Sequence, residues 1–140
     1  MGEPQLSRRS VEHIPMDAPQ PRIEAEVMDG RWFKTNDKPQ WIDRLVVDTV
    51  DEQTYVQIFG GTAPSPADWG RVPVKWAFAN ASNTSSAKAG GFIALYDFEE
   101  MAVEVQANFN LGLLVVATFV QFKQPGAHSD RFTREFFFRA

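Results

Sequence analysis

Few side chains in this sequence are of a type that does covalent chemistry. There is no cysteine, which removes disulfides, thiolate nucleophiles and cysteine-based zinc or iron–sulfur sites. The two histidines, His13 and His128, lack a partner histidine at metal-ligand spacing and read as incidental surface groups. A Ser129–His128 nucleophile pair is disfavoured, because neighbours along a strand point to opposite faces. Glu99-Glu100 has the form of a paired carboxylate but fits better as the charged tip of a hairpin. Asp68, just before Trp69, is placed to cap loop N–H groups. Gly60-Gly61 and Gly90-Gly91 lack the Lys-Ser/Thr of a phosphate loop. Asn80-Ala-Ser82 and Asn83-Thr-Ser85 have the form of glycosylation sequons and read as polar loop. The sequence therefore implies no metal site and no cofactor.

The aromatic residues and two arginines carry more information. Trp32, Trp41, Tyr55, Trp69, Trp76 and Tyr96 either fill a core or line a cavity, since ligand pockets are mostly aromatic and apolar with a few polar anchors. Arg44 shares an alternating face with Ile42 and Val46, and Arg134 shares one with Phe132, Phe136 and Phe138. If those faces point inward, each arginine needs a carboxylate or an anionic ligand. Asp97, Glu104 and Glu135 are candidate partners. These six aromatic residues and two arginines form the candidate ligand-binding set.

The elements that must position them are strands. The chain has 140 residues, 13% aromatic, with twelve Phe and four Trp. Such residues fit a pleated, half-buried surface, and the length fits one domain. Residues 1–28 stand apart: Pro4, Pro15, Pro19 and Pro21 break any long helix or central strand. They read as an extended or flexible arm. The alternative is an arm docked through Ile14, Met16, Ile23 and Val27, with one or two helical turns after Pro21.

From residue 29 onward, strand patterns alternate with turns. Strands are expected at Gly30–Lys34, Trp41–Val50, Thr54–Gly60, Trp69–Asn80 and Gly91–Phe98. Others follow along Val103–Ala107 and Leu113–Lys123, and through Phe132–Phe138. Asp51-Glu52 and Asn108–Gly112 read as tight turns, with Asn110 and Gly112 suited to positive φ. About eight strands in consecutive hairpins point to an all-β, antiparallel up-and-down barrel. A barrel of that size is filled by side chains or holds one small ligand. A two-sheet sandwich is the runner-up.

The net charge of −4 argues against nucleic acid and anionic membranes as partners. No apolar run reaches the ~20 residues of a membrane span. The polar stretch Met1–Ser10 lacks the apolar core of a signal peptide, which favours a cytoplasmic location.

The loop Phe59-Gly-Gly-Thr-Ala-Pro-Ser-Pro-Ala-Asp-Trp-Gly70 resembles a motif of small, largely uncharacterised bacterial β-barrel domains. Their loop reads Phe/Trp-Gly-x-Cys-His-Pro-Thr-x-Cys-Asp-Trp-Gly. Gly30-Arg-Trp-Phe33 with Ile42-Asp-Arg-Leu-Val46, then Leu95-Tyr-Asp-Phe98, then Phe122–Phe136 with Arg134-Glu135 extend the likeness over residues 30–138. Thr62, Ala63 and Ala67 stand where the pattern has Cys, His and Cys. Any loop disulfide or metal site implied by the resemblance is therefore absent here. Strand count and an early Gly-x-Trp also resemble the calycin group, avidins and lipocalins, at the level of fold alone.

Three functions are compatible with these features. The first is binding of a small apolar or aromatic ligand in the barrel mouth. The second is a structural or interaction domain acting as a homodimer. It is motivated by Leu113–Val120, apolar on both faces, and by Phe137, which interrupts the polar face of the last strand. The third is a barrel-type cyclase or isomerase. The balance leans away from an enzyme.

Overall fold

A computed structural model describes residues 22–82, 86–124, 126 and 128–140. The chain forms one antiparallel sheet in the order β4-β3-β2-β1-β9-β8-β7-β6-β5. Its strands are β1 (Gly30–Lys34), β2 (Ile42–Val50), β3 (Gln53–Gly60), β4 (Asp68–Pro73), β5 (Trp76–Ala79), β6 (Ala89–Asp97), β7 (Met101–Asn110), β8 (Leu113–Phe122) and β9 (Arg131–Arg139). The sheet curls into a barrel-like body, so the all-β barrel class holds and the sandwich does not.

The strand expected at Trp69–Asn80 is divided. β4 pairs with β3 and β5 pairs with β6, so this segment passes from one edge of the sheet to the other. The handover takes two residues: the Val74 N–H donates to Thr54 O and the Lys75 N–H to Ile93 O, both at 2.8 Å. Pro73 has no N–H to offer a ladder. The break also changes the face. Trp69 and Val74 point inward, whereas Trp76 and Phe78 are 40% and 50% exposed.

Alternation otherwise sorts the strands as period two demands. The interior holds Trp32, Leu45, Val47, Val56, Ile58, Phe92, Ala94, Val103, Val105, Leu114, Val116 and Phe137, all buried. The turns follow from sequence. Asp51 and Glu52 take positive φ (50° and 68°), and Leu111 and Gly112 do the same (52° and 79°). Leu111 thus fills the position expected of Asn110; its side chain is 93% exposed, so the conformation alone bears the cost.

Both ends of the barrel are covered. At one end, residues 22–28 of the arm pack on the body. Ala25 and Met28 are buried, Ile23 and Val27 lie against the core, and Glu26–Met28 forms a 3-10 turn. The Trp32 indole donates to Met28 O at 2.9 Å, and Glu24 bridges Lys88 in parallel. Ile14 and Met16 lie outside the described residues.

At the other end sits the loop 61–67. Gly60 fits only because it lacks a side chain: a Cβ there would lie 2.1 Å from Pro66 O and 2.9 Å from Trp69 Nε1. Trp69 is buried and donates to Ser65 Oγ at 3.0 Å. It meets Trp41, Tyr96 and Phe98 edge-on. Asp68 accepts from the Gly70 N–H at 2.9 Å and from Gln57. Those two bonds hold its carboxyl below the usual range, the Gly70 amide contributing most. Gly70 itself takes φ +86° at the irregularity where β4 slips against β3.

Trp69 therefore closes this end by packing. Trp69→Ala should destabilise the fold by ~3–5 kcal/mol, the range for truncating a buried aromatic. Urea denaturation measures it; a loss below ~1 kcal/mol would reject the closure role.

Candidate functional site

The curled sheet separates the eight candidate residues into two groups. Trp32, Trp41, Trp69 and Tyr96 are buried in the interior. Arg44 and Trp76 are exposed, as is Arg134, and Tyr55 is half-buried on the outer face. The set is not gathered into one mouth.

Arg44 does not share a face with Ile42. An irregularity between Ile42 and Arg44 inserts Asp43 into β2, so Ile42 turns inward and Arg44 outward with Val46. Arg44 lies 4.1 Å from the centre of the Phe59 ring and 3.6 Å from Asp43. Arg134 does share a face with Phe132, Phe136 and Phe138, and that face is the outer one. Phe137, expected to interrupt a polar outer face, instead points inward and is fully buried in the core. Tyr55 carries Arg71 over its ring at 3.7 Å, and Arg71 in turn pairs with Asp48 at 2.8 Å.

Glu135 is the ionisable group that points inward on β9, 8% exposed. Its oxygens accept the Ile42 N–H at 3.2 and 3.4 Å. Burial pushes its carboxyl above the usual range, and the Ile42 and Trp41 amides pull only partly the other way. This carboxylate pins the start of β2, just before the irregularity that turns Arg44 out. Nearby on the same inner face, Thr118 and Thr133 are cross-strand neighbours. The Thr118 hydroxyl and the Trp41 indole N–H are buried without partners among the described residues.

The outer face is the larger feature. Phe119 and Phe132 pair across β8 and β9 with ring centres 5.0 Å apart, and Phe33 and Phe138 across β1 and β9 at 6.2 Å. Phe119, Phe132, Phe136 and Phe138 are 40–58% exposed. Leu113, Val115 and Ala117 fill the row between them on β8. A groove of about 520 Å³ opens on the same side, lined by Leu95, Ala102, Glu104, Phe119 and Gln121. Among the described residues no group of three or more His, Asp or Glu is arranged to hold a metal ion, and no helix is long and apolar enough to cross a membrane.

Phe119, Phe136 and Leu95 were not among the sequence candidates. Their signal was present as alternation, but β8 and β9 are apolar on both faces, and period two alone does not say which face is inside. Compared with known proteins, the chain matches no family model, no curated protein and no solved structure.

The raised carboxyl of Glu135 has a signed consequence. Its native form holds a proton at pH values where the unfolded chain has lost it. Its contribution is fully present below the ordinary glutamate range and is lost as pH rises through the native value. Glu135→Gln removes that titration. The stability difference, wild type minus variant, should fall between pH 4 and pH 7; a difference that stays flat in urea titrations at both pH values would contradict the assignment.

Proposed function

We propose that this chain is an interaction domain that pairs with a second copy of itself through the outer face of the sheet. The observation that supports this reading is the band of exposed Phe119, Phe132, Phe136 and Phe138 across adjacent strands. Single exposed apolar residues are ordinary. A contiguous band of aromatic rings is a feature of recognition surfaces, where Phe is enriched and charge is sparse at the centre. Rings also lose little conformational freedom on docking compared with Lys or Glu. The ladder beneath the band is regular along β7, β8 and β9, so the face is presented by rigid elements. Self-pairing fits because most soluble homo-oligomers use one patch twice about a two-fold axis.

A second reading is favoured by the groove beside Phe119. Its volume of about 520 Å³ falls within the ~300–1,000 Å³ of small-molecule sites, and its Leu95 and Phe119 walls suit a small apolar or aromatic ligand. It lies on the outer face rather than in the barrel mouth, so a ligand there would compete with self-pairing.

Light scattering and sedimentation at micromolar concentration separate these cases. The unaltered protein should have the mass of a dimer. Phe132→Ser combined with Phe136→Ser should give a monomer that keeps the native circular dichroism spectrum, because both rings lie on the outer face; its melting temperature falls by what pairing contributed and no longer varies with protein concentration. A clean monomer mass for the unaltered protein would overturn self-pairing.

A further inference from the structure

Two opposite charges stand on this apolar face, and neither has a countercharge beside it. Arg134 is exposed on β9, its guanidinium 5.6 Å from the Phe136 ring centre. Glu104 projects from β7 and accepts from Gln106 at 2.7 Å. Neither takes part in an ion pair among the described residues.

The register places them. Ala117 on β8 faces Gln106 on one side and Arg134 on the other, while Glu104 faces Phe119. Arg134 and Glu104 are thus two strands and two residues apart. With strands ~4.8 Å apart and a rise of ~3.4 Å per residue, that is ~12 Å between Cα atoms. The two form no ion pair with each other within one chain.

We infer that two copies meet about a two-fold axis that crosses β8 between Ala117 and Phe119, with Arg134 of each copy on the partner's Glu104. This rests on the self-pairing proposed above. The axis lies in the plane between the two faces and bisects the line from Arg134 to Glu104. One rotation then makes two identical charge contacts, as an isologous interface requires. It also sets Phe132 over the partner's Phe119, and Phe136 over the partner's Leu95 and Ile93, so apolar meets apolar. A shifted register leaves each charge against a ring or an aliphatic side chain, with its hydration removed and no countercharge supplied. The pair therefore fixes how the faces align, while the rings supply most of the buried area.

The test is reciprocal charge reversal. Arg134→Glu and Glu104→Arg should each weaken self-association about a hundredfold or more, since like charges then face each other twice per dimer. Mixing the two monomeric variants should restore a dimer, because in the mixed pair every contact is again opposite in sign. Sedimentation of each variant alone and of the mixture reads this, with circular dichroism checking the fold. Where a reversal fails to fold, Arg134→Gln and Glu104→Gln in a double-mutant cycle replace it, and zero coupling overturns the pairing. A dimeric wild type whose variants remain dimeric, or fail to associate on mixing, overturns this register and leaves self-pairing standing. A monomeric wild type overturns both.

Discussion

The Tyr96 hydroxyl holds the curled sheet together across its interior. Tyr96 projects inward from β6, and its hydroxyl lies 2.9 Å from Gly70 O on β4 and 3.3 Å from Val56 O on β3. Those strands lie at the opposite end of the sheet order from β6. A buried hydroxyl without a partner is expensive, so this geometry rewards the sheet for curling until the strands meet. Burial pushes the phenol further from ionisation, so it stays a donor across ordinary pH. Phe98 stacks on the same ring and Trp69 meets it edge-on. Through Trp69, which meets Trp41 and donates to Ser65, the loop 61–67 and the β4 edge are tied to this contact.

Much of this architecture was legible because alternation in a strand is a strict code. The positions of seven of the nine strands follow one for one from runs such as Phe92, Ala94 and Tyr96, and from turns such as Asp51-Glu52, while β4 and β5 read as a single strand. Two local irregularities were not legible. The extra residue Asp43 in β2 and the break after Pro73 each flip the face of everything beyond them. Arg44 and Trp76 lie beyond those points, so an unbroken period of two puts each on the wrong face. A bulge has no side-chain signature strong enough to see in one sequence. Pro73 was a hint, since proline avoids the interior of a sheet.

The surface was harder still. In β9, Phe132, Phe136 and Phe138 outnumber Phe137, so the apolar majority looks like the inner face. The structure puts the majority outside and keeps Phe137 and Glu135 inside. What decides this is the far end of the strand. The Glu135 carboxylate reaches the Ile42 amide only from within, and Phe137 adds its ring to the buried core. Composition counts apolar residues, whereas the fold selects the face that satisfies the buried polar groups as well. The excess of rings left outside is the residue of that choice, and it is the surface on which the functional reading depends.

The pairing of β1 with β9 has a mechanical consequence. Trp32 lies opposite Arg139 and Lys34 opposite Phe137, so the start of the first strand and the end of the last emerge side by side. A pull applied to the two ends loads the ladder bonds one after another, like opening a zipper, rather than all together in shear. Arg139 is the first clasp, donating to Val27 O at 3.0 Å and to Asp29 O at 2.9 Å. The seam between β1 and β9, rather than the buried core, therefore bears a tension applied across these two strands.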